Sequence, residues 1–230
     1  MAYDYLVHQI KEEILRETKK EPISEGLYHQ QHKQSAIYQI AVKYEQKFIG
    51  LDKRTLFSLC ESLLSEGSVE MQQIAVHWLQ SLKFDREPVD FVDFQMWAEN
   101  HIRSKTVCDD YALFVIGDFI VQNPMFLPDI IKWTFSPRWQ MRRMAAVTMI
   151  YCIRRKRYFR ATFETANFLR TDERCEVQEA FRWLLREAYK VCPKSVSNYV
   201  EIHASEIPEF LQLEILTADS SHREDLSDAF

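Results

Sequence analysis

The stretch EVQEAFRWLLREAYKVCP, residues 176–193, contains the clearest amphipathic helix in the sequence. Its apolar residues recur at intervals of three and four, which places them on one helical face, and Pro193 ends the run. They are Val177, Ala180, Phe181, Leu184, Leu185, Ala188 and Val191. Trp183 lies beside this face, between Arg182 and Arg186. It is therefore either a partly buried packing residue at a helix–helix contact or a residue that lines a binding cleft.

Similar helices recur upstream, and a small residue occupies a matching place in four of them. The four are Ala75, Ala112, Ala145 and Ala180, which are 33 to 37 residues apart. A small residue at this period lets successive helical hairpins stack closely, as in α-solenoids of the HEAT or armadillo kind. Glycine, with four residues in 230, is too scarce for folds that need Gly-rich loops. We therefore expect an all-α fold, an α-solenoid of HEAT-like helical repeats with a concave, partly basic face.

Length and composition favour one soluble globular domain over residues 1–230. We expect N-terminal helices over residues 1–50, a repeat array over 51–218 and a flexible acidic tail over 219–230. No apolar stretch approaches the roughly 20 residues that a membrane span requires. The five cysteines are widely spaced and form no CxxC pair, which is typical of reduced thiols in a cytoplasmic protein. We expect no metal or cofactor, because the sequence has no metal-ligand spacing, nucleophile motif or phosphate loop. We also expect a monomer, for which a protein partner is possible.

Basic residues are concentrated in one segment of a chain whose net charge is −5. The segment from residue 138 to residue 160 contains no acid, and its cations are Arg138, Arg142, Arg143, Arg154, Arg155, Lys156, Arg157 and Arg160. Cations among aromatic residues suit a nucleic-acid backbone, since each neutralised phosphate releases counterions. The alternative is a solvated basic face whose cations pair with neighbouring acids.

Two adjacent acids, Asp109 and Asp110, stand at the predicted start of an apolar helix. One of them is predicted to be the N-cap, which accepts hydrogen bonds from first-turn amides, and the other to be solvated or functional. Asp118, in the same helix after Gly117, is a further candidate that could instead bond to a neighbouring helix.

Three segments taken in order resemble a known family. They are DDYALFVIGDFI at residues 109–120, RWQMRRMAAV at 138–147 and AFRWLLREAYK at 180–190, the last followed by NYV. They resemble the HEAT-like repeat DNA alkylation repair proteins, whose best-known members are AlkD-type glycosylases. The similarity is clearest over residues 109–200. It implies a DNA glycosylase that excises cationic N7- and N3-alkylpurines, in which a carboxylate stabilises the oxocarbenium ion and holds the attacking water.

The resemblance also implies roles for particular residues. By position, Asp109 is similar to the catalytic Asp, Trp183 to an aromatic wall, and Arg143, or alternatively Arg142, to the Arg that holds a phosphate. Active members carry a second Trp four residues before the catalytic Asp, where this sequence has Lys105. Residues expected to contact DNA are Arg142, Arg143, Arg154, Arg155, Lys156, Lys105 and Arg186.

Three functional hypotheses follow from these observations. The first is a family member with a damaged cleft that binds DNA weakly and excises little or no base, because Lys105 replaces an aromatic wall and repels a cationic base. The second is an active monofunctional glycosylase that uses Asp109. The third is a HEAT-repeat scaffold whose concave face binds a protein partner.

Overall fold

A computed structural model describes residues 2–18, 36–48, 50–81 and 85–217 of the chain. Helices and their connecting turns account for these residues, without a strand among them, and this confirms the predicted all-α class. The helices are α1 (Ala2–Thr18), α2 (Ala36–Glu45), α3 (Lys53–Glu66), α4 (Val69–Ser81), α5 (Asp90–Asn100), α6 (Lys105–Tyr111), α7 (Gly117–Gln122), α8 (Leu127–Lys132), α9 (Trp139–Arg154), α10 (Phe159–Leu169), α11 (Cys175–Val191), α12 (Pro193–Ile202) and α13 (Glu209–Leu216). A π-helical turn, Ala112–Ile116, separates α6 from α7.

The chain divides into two compact units, an N-terminal unit of residues 1–115 and a C-terminal unit of residues 116–230. The predicted single domain and its subdivisions remain predictions, and the expected tail lies outside the described residues. In the N-terminal unit, α4 packs against α2, α3 and α6. Asp52 accepts a hydrogen bond from the Thr55 amide and so caps α3. Gly67, at φ 86°, ends α3, because this left-handed conformation favours glycine.

In the C-terminal unit, α9 packs between α7 and α11, and α11 packs in turn against α13. The other helices flank this row: α10 contacts α8, α9 and α11, while α12 contacts α11 and α13. Two rows of alternating helices are what stacked helical hairpins produce. The solenoid and its concave basic face remain predictions.

Helix α11 contains most of the amphipathic stretch 176–193. Six of its seven predicted apolar residues are buried, and Val191, the last, is half-buried. Pro193 follows the end of α11 and begins α12, where a missing amide hydrogen costs nothing. Ala75, Ala112, Ala145 and Ala180 are all fully buried, as residues at close helix contacts should be. The amphipathic pattern therefore predicted both the helix and its buried face.

Among the described residues, no single helix is long and apolar enough to cross a membrane. One bent pair, Lys105–Gln122 with Pro124–Phe135, meets the same length and composition test when its two members are taken together.

Candidate functional site

The two adjacent acids lie inside a helix of the N-terminal unit. Because α6 begins at Lys105 and is preceded by Ser104, neither Asp109 nor Asp110 is an N-cap, and that prediction is wrong. Both residues are buried, with 4% and 3% of their surface exposed. One carboxylate oxygen of Asp110 has no hydrogen-bond partner within the described part of the chain. Burial, together with the charge of Asp109, raises the pKa of Asp110 well above its usual range.

Lys105 is the first residue of α6, and its side chain is exposed. It precedes Asp109 by four residues, which places the two on the same face of the helix. Both belong to the N-terminal unit, whereas Arg143 and Trp183 belong to the C-terminal unit. That Asp109, Arg143 and Trp183 share one cleft therefore remains a prediction.

Arg142, on α9, forms a bidentate ion pair with Asp172, which follows α10. Its Nε donates to Oδ2 of Asp172 at 2.6 Å and its Nη2 donates to Oδ1 at 3.1 Å. The third guanidinium nitrogen donates to the carbonyl of Ser136 at 2.8 Å. Since 16% of the Arg142 side chain and 8% of the Asp172 side chain are exposed, the pair is largely removed from water. All three guanidinium nitrogens of Arg142 are thus occupied within the fold.

Arg143, also on α9, is buried against the start of α11. Only 5% of its side chain is exposed. Its Nη1 donates to the carbonyl oxygen of Glu176 and lies 3.5 Å from a carboxylate oxygen of Glu179. The residue that resembles the phosphate-holding Arg is therefore bound to a neighbouring helix.

Trp183, on α11, is half-buried, and the guanidinium of an ion-paired arginine lies over its ring. The Arg154 guanidinium carbon lies 5.6 Å from the centre of the indole ring, within the range of a cation–π contact. Arg154 Nε also donates to Glu187 at 2.9 Å, and Lys190 donates to the other oxygen of the same carboxylate. Burial alone would raise the pKa of Glu187, but the two cations outweigh it and lower that pKa. Glu187 therefore stays ionised and holds Arg154 near Trp183.

Tyr151, on α9, connects that helix to α7. Its hydroxyl donates to Asp118 at 2.9 Å, which confirms the alternative that Asp118 bonds to a neighbouring helix. Gly117 permits this approach, because a Cβ at that residue would lie 2.6 Å from the Tyr151 side chain. The Arg155 guanidinium lies 3.3 Å from the centre of the tyrosine ring. Burial lowers the pKa of Arg155.

The predicted DNA-contacting residues thus have very different surroundings. Arg186 lies 3.4 Å from Glu214 on α13, and 43% of its side chain is exposed. Lys156 is exposed in the turn between α9 and α10, and Arg157 and Arg160, which were not among the predicted contacts, are exposed in the same segment. Within the described residues, these last three side chains have no hydrogen bond or ion pair. Their exposure could not be read from the sequence, where they look the same as the paired arginines.

In the described ranges, no group of three or more His, Cys, Asp and Glu residues is placed to hold a metal ion. In the C-terminal unit, the Arg154 guanidinium lies near the Trp183 ring and is paired with Glu187. Guanidinium groups are among those that contact phosphates in nucleic-acid-binding proteins.

A family model described as DNA alkylation repair enzyme matches residues 32–214, well over half of the chain. No curated protein matches the chain.

Proposed function

The chain belongs to the DNA alkylation repair enzyme family, and from this premise we propose that it binds duplex DNA weakly and excises alkylated bases slowly or not at all. Family membership supports DNA as the ligand class. The proposed loss of activity rests on the surroundings of particular side chains.

The observation that carries the proposal is the engagement of Arg143. A guanidinium that holds a phosphate must be accessible, but Arg143 is buried and bonded to the Glu176 carbonyl and near the Glu179 carboxylate. Arg142, the alternative, is bonded to Asp172 and Ser136. Either residue would have to break interactions within the fold before it could bind DNA, and this cost weakens binding.

Of the two expected aromatic walls, one is replaced by a lysine and the other is in contact with an arginine. Lys105 stands where the resemblance places one wall, and losing a base-stacking contact costs roughly 1–3 kcal/mol. An exposed cation at that residue also repels a cationic base or an oxocarbenium ion. The second wall, Trp183, is approached by the Arg154 guanidinium. Both features oppose tight binding of a cationic alkylated nucleotide.

A second candidate function, an active glycosylase, is favoured by the pair of buried acids. Asp109 and Asp110 both lie within α6 and both are buried. An ionised Asp109 is what stabilisation of an oxocarbenium ion requires. In this alternative, Asp109 also holds the attacking water.

Single-turnover release of N7-methylguanine from duplex DNA distinguishes the two candidates. We expect the wild-type rate to stay close to the uncatalysed rate and to be unchanged by Asp109→Asn. Lys105→Trp should increase binding and release, whereas Lys105→Gln, which removes only the charge, should increase them less. Robust wild-type release that Asp109→Asn abolishes would overturn the proposal in favour of the active enzyme.

Binding to undamaged duplex DNA tests the shared premise. We expect weak affinity that falls steeply with salt, because phosphate contacts release counterions. Absence of binding even at low salt would remove DNA as the ligand and leave the scaffold hypothesis.

A further inference from the structure

We propose that Lys156, Arg157 and Arg160, here called the basic turn, form a docking surface for the phosphate backbone of duplex DNA. The inference rests on the proposed function and deepens it, since it assigns the DNA contact to cations other than the arginines that the family resemblance indicates. The basic turn lies between the end of α9 and the first turn of α10.

The cations of the basic turn are accessible to a ligand, unlike the bonded arginines before them. Arg142, Arg143 and Arg154 are bonded to acids or carbonyl groups of the C-terminal unit. Within the described part of the chain, the side chains of the basic turn have no such partner, and all three are exposed. A phosphate can therefore contact them without breaking a bond in the protein.

The basic turn carries a local excess of positive charge. The basic turn places three cations within five residues, and the first turn of α10 contains no acid. A cluster of one sign in an otherwise acidic chain attracts a polyanion locally, and each neutralised phosphate adds to the salt dependence of binding.

The backbone at Lys156 adopts the turn that ends α9. The Lys156 amide donates to the Ile153 carbonyl at 2.8 Å and the Arg157 amide to the Cys152 carbonyl at 3.0 Å. These two bonds form the Schellman motif that ends many helices, in which the left-handed residue is usually glycine. Here that residue is Lys156, at φ 57°. This left-handed residue ends α9, so Lys156 and Arg157 lie in the turn that follows the helix.

The decisive experiment compares two variants that remove three cations each. The first is Lys156→Gln, Arg157→Gln and Arg160→Gln. The second is a control at exposed cations elsewhere, Arg54→Gln, Lys132→Gln and Lys194→Gln. Binding of the full chain to a 20-base-pair duplex is measured over a range of salt. We expect the basic-turn variant to lose about a hundredfold in affinity at low salt and its salt slope to become shallower by about 2 to 3, roughly 0.9 for each contact.

The outcomes separate this inference from the proposed function. If the wild type binds DNA and the basic-turn variant behaves like the control, the inference is wrong and the proposed function stands. If the variant loses affinity for an RNA duplex but retains it for DNA, the turn serves another ligand and the inference is also wrong. If the wild type does not bind DNA at low salt, the proposed function fails and the inference fails with it.

A single substitution tests the backbone argument. Lys156→Gly should raise Tm by about 2 °C because it relieves the left-handed backbone, and it should lower DNA affinity at low salt by about fivefold because it removes a cation. Lys156→Gln should lower affinity equally without raising Tm. If Lys156→Gly raises Tm and leaves affinity and salt slope unchanged, Lys156 is not a DNA contact.

Discussion

The basic segment of the chain consists of two parts with opposite environments. Along α9, Arg142, Arg143 and Arg154 are bonded to groups on or next to α11. In the turn that follows, Lys156 and Arg157 are exposed and have no partner among the described residues. The same residue types, a few positions apart, thus hold helices together in one part and remain available to a ligand in the other.

The difference shows that a surplus of cations in a sequence does not by itself mark an interface. The acids that neutralise the α9 arginines lie about 30 residues later, on the next helical hairpin. Pairing with neighbouring acids is therefore observed along α9, whereas binding of a nucleic acid by the cations of the turn remains our proposal.

The strongest test of this comparison is to break the best-buried ion pair. Arg142→Gln leaves the Asp172 carboxylate largely buried without its bidentate partner, and we expect the free energy of unfolding to fall by about 3 kcal/mol. Arg160→Gln, in the basic turn, should change it by less than about 0.5 kcal/mol. Urea denaturation measures both. Equal effects would mean that the two groups of cations do not differ in structural role.

A smaller loss of stability is expected at the close approach of Gly117 to Tyr151, the residue whose ring contacts Arg155. Gly117→Ala places a methyl group against Tyr151, and the forced displacement should cost about 2 kcal/mol. Gly67→Ala provides a control, because nothing lies within 4 Å of its Cβ and only its left-handed backbone is affected, at a cost of about 1 kcal/mol. Thermal unfolding compares the two. A Gly117→Ala variant as stable as the wild type would show that α7 and α9 can separate without cost.

The smallest effect is expected at the pair that covers Trp183. Glu187→Gln should lower the free energy of unfolding by about 1.5 kcal/mol at pH 7, since Arg154 loses its charged acceptor. Because the same change makes the Arg154 cation available, it should also strengthen DNA binding at low salt. Fluorescence of a labelled duplex measures the binding. A loss of DNA affinity would mean that Arg154 contacts DNA only when Glu187 orients it.

The pH dependence of this stability difference has a definite sign. The pKa of Glu187 is lowered in the folded protein, so the stabilisation is complete above the ordinary value of 4.5 and is lost as the pH falls through the lower folded value. The stabilities of the wild type and Glu187→Gln should therefore converge in acid. Differential scanning calorimetry between pH 3 and pH 7 measures the convergence, and a constant difference would contradict the assigned charge state.

Patterns that depend on neighbours in the chain predicted the fold well. The apolar spacing of α11 predicted its buried face. The start of α6 was missed because Ser104 and Asp109 are both residue types that helix N-termini prefer, and propensity alone does not choose between them. Only the packing of the folded chain shows that Asp109 and Asp110 lie past the first turn of α6 and that their side chains are buried.

The surroundings of the candidate site residues could not be predicted in the same way. The partner of Arg142 is 30 residues away, and the partner of Arg154 is 33 residues away. Such pairs depend on which helix turns meet across a contact, and periodicity does not specify this. Gly117 was the clearest available signal, since a glycine within an apolar helix indicates a close neighbour.

Helix α9 is joined on both sides, to α7 through the bond from Tyr151 to Asp118 and to α11 through Arg143 and Arg154. A fluctuation that detaches α9 must break both sets of bonds together and expose a helix in which twelve of sixteen residues are buried. The backbone amides of α9 should consequently exchange with solvent deuterium only through the largest openings of the C-terminal unit, and should be the slowest of that unit to exchange.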